Sequence, residues 1–191
     1  MTYLLIGLAL CTIIGPAFML LPSKRQKAQM ALRAKARAEG VQVELTRIDD
    51  PDPEPGKYTS LTGKPLDPIL KCVAYRIPRK RLLDWRKRPM VNWKVVRKHA
   101  ARSDLLPVDW QWLETAVESL SSQLTTVITT GLPQLPADVV AVEERNYQVS
   151  VFWQERGGER DLSAVVQFLQ TVIAAPLFEP GEDDATEDDA G

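Results

Sequence analysis

The sequence predicts an α+β protein that consists of one N-terminal transmembrane helix, a basic helical stalk and a small cytoplasmic α+β domain. Three observations predict this architecture. Residues 3–22 carry no charged side chain, which is typical of a membrane-spanning helix. Short runs of alternating apolar and polar residues indicate strands, two of which form an antiparallel hairpin. Two longer segments repeat apolar residues at helical spacing, which predicts two amphipathic helices.

Residues 1–22 are expected to form an uncleaved, single-pass membrane anchor. As a helix, the apolar run would extend about 30 Å, which matches the hydrocarbon core of a bilayer. A cleaved signal peptide would need a basic segment before the run and a small-x-small site after it, and neither is present. The positive-inside rule places the N-terminus outside and the C-terminal domain in the cytoplasm, at the inner membrane if the cell is bacterial. The cations that set this orientation are also predicted head-group contacts: Lys24, Arg25 and Lys27.

Small residues recur every four positions along the predicted anchor, at Gly7, Cys11 and Gly15. This spacing lets two membrane helices approach closely and favours a homodimer through the anchor. Small residues are also common in membrane helices that do not associate, so both interpretations stay open.

Residues 23–40 predict a solvated helical stalk. Strong helix formers fill the segment, Ser23 is suited to the N-cap, and Gly40 is suited to the position after the last turn. Its cations are spread around the helix, and Met30 and Leu32 are its only apolar side chains larger than alanine. This pattern indicates a helix in water rather than one lying in the membrane interface.

Residues 41–178 predict the soluble α+β domain. Residues 41–48 and 69–77 read as strands on either side of a Pro-rich loop at 49–68, and residues 90–102 as a short amphipathic helix at best. The longest apolar stripe predicts a helix over 113–130 with Asp109 as its cap. A hairpin follows at 139–153, turning at Arg145-Asn146, and then a final helix capped by Asp161. Residues 179–191 contain seven acids and no base, which predicts a disordered tail.

The charges are segregated, although the formal net charge is only −1. Residues 71–102 carry twelve cations and one acid, whereas the chain from residue 103 onward carries three cations and seventeen acids. A basic block at 79–102, with interleaved tryptophans, is therefore the predicted contact for a partner or a membrane surface. Its candidate contact residues are Arg79, Lys80, Arg81, Trp85, Arg86, Lys87, Arg88, Trp93, Lys94, Arg97 and Lys98.

Four interpretations of this basic block stay open. Indole rings and cations together suit lipid head groups, and they equally suit an acidic protein surface. The block could instead be a solvated surface with buried tryptophans. Nucleic acid is the weaker alternative partner, because no nucleic-acid motif accompanies the cations and the rest of the domain is acidic.

The sequence contains no catalytic or metal-binding motif. His99 is the single histidine and lies among cations, so a solvated basic surface is favoured over catalysis. Cys72 lies in an apolar strand and predicts a small buried side chain rather than a nucleophile. Cys11 would lie in the bilayer, so no disulfide with Cys72 is expected. We therefore expect no enzyme, no cofactor and no metal site.

An uncharged N-terminus, one span ending in FMLLP, and SKRQKAQ opening an Ala/Lys/Arg helix that runs to a Gly-Val step follow one another over residues 1–43. This arrangement resembles the start of the bacterial small translocon-accessory subunit YajC. The resemblance implies topology, and no residue-specific functional motif is carried over. The remaining 148 residues depart from that short protein. The combined hypothesis is a membrane-tethered, non-enzymatic adaptor or accessory subunit that binds a protein near the membrane, with nucleic-acid binding through residues 79–102 as the alternative.

Overall fold

The computed structural model describes residues 23–54, 56–80, 91–103, 105–114 and 120–179. These residues form an α+β fold with a six-stranded antiparallel sheet and three helices, which confirms the predicted fold class at this level. The helices are α1 (Lys24–Ala38), α2 (Ser122–Gly131) and α3 (Glu159–Ala174). A short 3₁₀ turn at Leu132–Gln134 follows α2. The strands are β1 (Gln42–Asp49), β2 (Ile69–Pro78), β3 (Trp93–Arg97), β4 (Trp110–Glu114), β5 (Val139–Arg145) and β6 (Gln148–Trp153).

The sheet has the order β1-β2-β6-β5-β3-β4, and every neighbouring pair is antiparallel. Because direction alternates at each step, β1, β6 and β3 end at the edge where β2, β5 and β4 begin. We call this edge the loop end; it carries the connections at residues 50–68, 98–109, 132–138 and 154–158. We call the opposite edge the turn end; it carries residues 39–41, 79–80, 91–92 and 146–147.

All three helices contribute to one hydrophobic core on a single face of the sheet. The period-2 alternation of the strands directs Val73, Tyr75 and Trp153 into this core, where they meet Leu124 of α2 and Leu169 of α3. Each such buried side chain contributes about 1.5–3 kcal/mol relative to exposure. The opposite face carries a smaller buried cluster that contains Cys72, Ala74, Val96, Ala141 and Phe152.

The predicted hairpin is confirmed as β5 and β6, although its turn lies one residue later than the predicted Arg145-Asn146. Asn146 and Tyr147 join the strands with φ values of +54° and +60°, which both fall in the left-handed region. Two consecutive left-handed residues match the twist of a two-residue hairpin turn, and asparagine tolerates that conformation well. The strands predicted at 41–48 and 69–77 are confirmed as β1 and β2, with the Pro-rich loop between them.

The short helix predicted at 90–102 is wrong, because its centre is strand β3, buried between β4 and β5. The helix predicted over 113–130 begins at Ser122 instead, after the strand β4 that contains Trp110 and Trp112. Ser121 caps α2, since its hydroxyl accepts the Leu124 N–H at 3.0 Å. The apolar stripe had continued from a strand into a helix, which concealed the boundary between them.

Two predicted cap residues lie elsewhere than expected. Asp109 precedes β4, where its carboxylate accepts the Ala100 N–H at 2.8 Å and its φ is +68°. Helix α3 begins at Glu159, so Asp161 lies in its first turn and accepts the Gly158 N–H at 2.8 Å. The carboxylate of Asp161 therefore still satisfies an N-terminal donor, from a position inside the helix.

The predicted stalk is a helix, but it is not a solvated stalk. Ser23 caps the start of α1 as expected and exchanges hydrogen bonds with Gln26, and Gly40 has a φ of +82° after the end of the helix. Leu32 and Ala36, which share one side of the helix, are buried in the main core. The predicted stalk is therefore part of the domain.

Two predicted segments lie outside the described residues: the anchor at 1–22 and the acidic tail beyond residue 179. Among the helices that the structure does describe, none is long and apolar enough to cross a membrane. The anchor therefore stays a prediction from the sequence.

Candidate functional site

Arg79 was predicted as a surface contact, but it is buried at the turn end between β5 and the C-terminus of α3. Its Nε and Nη2 donate to the two carboxylate oxygens of Glu144 at 2.6 and 3.0 Å. Its Nη2 and Nη1 also donate to the carbonyls of Val172 at 2.9 Å, Ile173 at 3.1 Å and Ala175. Carbonyls at a helix C-terminus lack partners within the helix and favour a cation. Arg79 therefore closes α3 and joins it to the sheet.

Trp93 completes this cluster from the neighbouring strand. Its indole Nε1 donates to Glu144 Oε2 at 3.0 Å, and the Glu144 side chain has no exposed surface. A buried carboxylate is tolerated only when its oxygens are paired, and here an arginine and an indole pair them. Both Arg79 and Trp93 use their donors inside the domain rather than at an exposed surface, and their contact with a partner stays a prediction.

Arg97 is also engaged internally, at the loop end. Its Nε and Nη2 donate to the carbonyls of Val139 at 2.8 Å and Pro136 at 3.1 Å. Its guanidinium carbon lies 4.5 Å from the centre of the Trp110 ring, which adds a cation–π contact. Burial lowers the pKa of this guanidinium, but an arginine keeps its charge at any physiological pH.

Lys94 lies on the opposite face of the sheet from the helices. Its ammonium group is 3.2 Å from the Glu143 carboxylate and 5.7 Å from the centre of the Phe152 ring. Less than a fifth of either charged side chain is exposed. Lys94 therefore has partners within the sheet and covers an apolar ring, which accounts for its position without a ligand.

The two remaining contacts of the basic block that the structure describes lie at opposite ends of the sheet. Lys80 and Lys98 are exposed, the first at the turn end and the second at the loop end. Several predicted contacts lie outside the described residues: Arg81, Trp85, Arg86, Lys87 and Arg88 of the basic block, and Gly7, Cys11 and Gly15 of the anchor. The described part of the basic block is thus divided between the two ends of the sheet.

A second buried carboxylate, which the sequence analysis missed, fixes α1 to the sheet. Glu155 follows β6, has a φ of +53°, and is only 3% exposed. Its carboxylate accepts Arg33 Nε at 2.9 Å and the Tyr75 hydroxyl at 2.8 Å, and Arg33 Nη2 supplies a further bond. Arg33 and Glu155 are 122 positions apart, and no local spacing could have connected them.

Two partners of Glu155 have shifted pKa values. The hydrogen bond to Glu155 raises the pKa of Arg33, so the guanidinium stays positive. Burial, reinforced by the hydrogen bond to Glu155, raises the pKa of the Tyr75 phenol, so its hydroxyl stays a neutral donor. The cluster is therefore an ion pair with one additional donor.

The predicted head-group contacts Lys24, Arg25 and Lys27 are exposed in the first turn of α1.

The loop end contains an open cleft of about 830 Å³. Its acids mostly organise the surrounding loops through backbone N–H groups. Asp52 accepts the His99 N–H at 2.8 Å, and Asp138 accepts the Arg156 N–H at 2.7 Å. No group of three or more metal-ligating side chains occurs within the described ranges. Cys72 is buried in β2, and burial raises its pKa to about 11, so its thiolate is scarce at neutral pH.

The Pro-rich loop projects from this end as a small ordered hairpin. Thr59 pairs with Pro65, and the Leu66 N–H donates to the Tyr58 carbonyl at 2.8 Å. At its base, the Asp50 carboxylate accepts Lys57 Nζ at 2.8 Å and also the Tyr58 hydroxyl, and the pKa of Asp50 is lowered. The described part of the predicted Pro-rich loop therefore includes a small hairpin.

We expect the substitution Glu144→Ala to lower the free energy of unfolding by about 3–5 kcal/mol, because it leaves the buried guanidinium of Arg79 without its counter-ion. Glu114→Ala is the matched control, since Glu114 pairs with Arg145 where both side chains are about half exposed, and it should cost less than about 1 kcal/mol. Urea titration of the full chain in detergent, followed by tryptophan fluorescence, measures both. Equal losses for the two variants would contradict the assigned role of the Arg79 cluster.

Comparisons of this chain with protein-family models, with curated proteins and with solved structures find no match. Function is therefore inferred from the contacts, burial and charges of the chain's own residues. Two features of the molecule bear on function. Glu155 fixes a basic helix to the sheet, and the loop end carries long loops and a cleft whereas the turn end carries short connections.

Proposed function

We propose that the protein is a membrane-tethered, non-enzymatic adaptor or accessory subunit whose cytoplasmic α+β domain binds a protein partner near the membrane. The observation that carries this proposal is the docking of α1. This basic helix directly follows the uncharged run at 3–22, and its Arg33 is bound to the buried Glu155. A tether through that run would therefore hold the domain in one orientation rather than on a loose linker.

The topology indicates which end would face the bilayer. Helix α1 and strand β1 are consecutive, and the tight turn at 39–41 between them brings the Val41 N–H to the Ala36 carbonyl at 3.0 Å. Their lengths are similar, about 22 Å for the helix and about 26 Å for the strand. The chain therefore enters α1 near the loop end, where β1 finishes. The turn end lies farther away by the length of β2, about 33 Å.

This orientation favours a protein rather than lipid as the partner of the turn end. Lys80 is exposed there, beside the basic segment at 81–90. A distance of about 33 Å along β2 is several times the Debye length of about 8 Å, so the head groups would be screened from Lys80. An acidic protein surface that approaches the turn end from the cytoplasm would come close enough to Lys80 to avoid this screening.

The nucleic-acid alternative loses support from the same contacts. Arg79, Trp93 and Arg97 use their donors or ring faces inside the domain, and Lys94 is paired with Glu143. A phosphate-binding groove needs exposed cations, and a stacking platform needs exposed rings. No observation on the described residues favours this alternative over a protein partner.

Two arginines placed in the apolar run, Leu8→Arg with Ile14→Arg, should release the full-length protein from membranes. Each arginine near the centre of a membrane helix disfavours insertion by about 2.5–3.5 kcal/mol. The matched control places two arginines at exposed apolar positions of the domain, Met30→Arg with Leu45→Arg. The fraction that resists alkaline carbonate extraction is the readout. Extraction of the unmodified chain, or retention of the first variant, would refute the tether.

A photo-crosslinking amino acid at Lys80 should form a discrete protein adduct in intact cells, because the proposed partner approaches the turn end. The same probe at Leu45, which is 70% exposed on β1, is the control and should not form that adduct. Adducts are separated by electrophoresis before and after nuclease treatment. A nuclease-sensitive adduct at Lys80 would support nucleic acid instead, and the absence of any adduct there would count against partner binding at this end.

A further inference from the structure

We propose that the loop end of the domain is a lipid-docking surface, whose two long loops insert apolar tips into the head-group layer of the bilayer. The inference rests on the proposed tether and adds a second membrane contact to it. The apolar side chains concerned are Leu61 and Leu66 of the loop at 50–68, and Leu105 and Val108 of the loop at 98–109. Of the described contacts predicted in the basic block at 79–102, Arg97 and Lys98 lie at this end, and Arg97 is engaged inside the domain.

Exposed apolar side chains are concentrated at this end. Of the eight large hydrophobic residues that are exposed in the described chain, five lie at the loop end: Leu61, Leu66, Ile69, Leu105 and Val108. Leu61 is fully exposed at the tip of the projecting hairpin, and Val108 is 72% exposed. Isolated exposed leucines are ordinary, but a group at one end of a domain indicates an interaction surface. Burial would stabilise each side chain by up to about 1.5–3 kcal/mol.

Both loops are held in shape before any contact forms. In the first, the Ser60 N–H donates to the Lys64 carbonyl at 2.8 Å across the hairpin. In the second, the Lys98 N–H donates to the Asp109 carbonyl at 2.9 Å. The Thr129 hydroxyl of α2 donates to the Thr125 carbonyl at 2.8 Å and also lies 3.2 Å from the Leu105 carbonyl oxygen, which places the second loop against a helix. Ordered loops lose little conformational entropy on docking, which favours the bound state.

The exposed cations around these tips suit anionic head groups, although the cleft between the two loops is acidic. Cations are exposed in both loops and beside them, at Lys64, Lys98, Arg102 and Arg156. Lys24, Arg25 and Lys27 extend this set at the start of α1. The cleft acids Asp52, Asp109 and Asp138 accept backbone N–H groups of the loops, and Asp50 is paired with Lys57. Among the described residues of this region, the exposed acids are Asp49, Glu54, Asp67 and Glu159, and the cleft acids keep their negative charge. The apolar tips and the cations beside them therefore carry the docking, rather than a net positive charge of the whole end.

The position of the tether selects lipid as the occupant. Residue 22 ends the uncharged run, and α1 begins at Lys24, near the loop end. If the run spans the bilayer, the loop end lies within a few residues' length of the head groups and is held there at high effective concentration. Weak insertion of a few apolar side chains is then sufficient, because the tether has already restricted the domain to the surface.

The test uses the full-length chain carrying Cys11→Ser, reconstituted into vesicles of phosphatidylcholine and phosphatidylglycerol. Single cysteines at Leu61 and Val108 are labelled with an environment-sensitive nitrobenzoxadiazole probe. The native Cys72 is buried with a pKa of about 11, so it reacts slowly under these conditions. The matched controls are cysteines at Leu45 and Leu113, which are 70% and 61% exposed away from the loop end.

We expect the probes at 61 and 108 to shift their emission to shorter wavelength and to be quenched at least twofold by nitroxide-labelled lipids. The probes at 45 and 113 should show neither effect. If the chain resists carbonate extraction from the vesicles but all four probes show the emission of a water-exposed probe and no quenching by lipid, the docking surface is refuted while the tether stands. If the chain does not associate with vesicles, the tether fails, and the docking surface fails with it.

Discussion

The ion pair between Arg33 and the buried Glu155 is the interaction on which the functional account depends. A carboxylate withdrawn from water costs several kcal/mol unless its oxygens are paired. Here a guanidinium and the Tyr75 hydroxyl pair them at hydrogen-bonding distance. Glu155 also has a left-handed backbone conformation, which is unfavourable for a residue with a side chain and directs its carboxylate under α1. The contact joins a helix that follows the apolar run to the central part of the sheet.

A second buried pair applies the same physics at the opposite end. Arg79 and Glu144 join the C-terminus of α3 to β5, and Trp93 donates to the same carboxylate. In both clusters the cation comes from a basic segment of the sequence and the carboxylate from the acidic half. The segregation of charge along the sequence is therefore partly explained by ion pairs that form within the domain between distant parts of the chain. Runs of cations predicted an external partner because their internal partners lie far along the chain.

Local patterns predicted the elements whose contacts are local. The alternation in β1 and β2, the turn at Asn146, and the apolar face of α3 were all readable from neighbouring residues. Strands β3 and β4 were missed because cations flank the alternation of Trp93 and Val95, and because the apolar stripe of α2 extends back into β4. The docking of α1 was missed because Leu32 and Ala36 are a weak signal, and because the partner of Arg33 lies 122 positions away.

The central claim is that α1 belongs to the domain, so that a tether before it would orient the whole sheet. Hydrogen exchange of the full-length protein in lipid nanodiscs tests this claim most directly. An isolated helix of fifteen residues is marginal in water and exchanges rapidly. We expect the amides of residues 30–38 to be protected as strongly as those of β2, and Glu155→Ala to reduce their protection about a hundredfold, equivalent to about 3 kcal/mol. Exchange of α1 in the unmodified protein at the rate of an isolated helix would contradict the account.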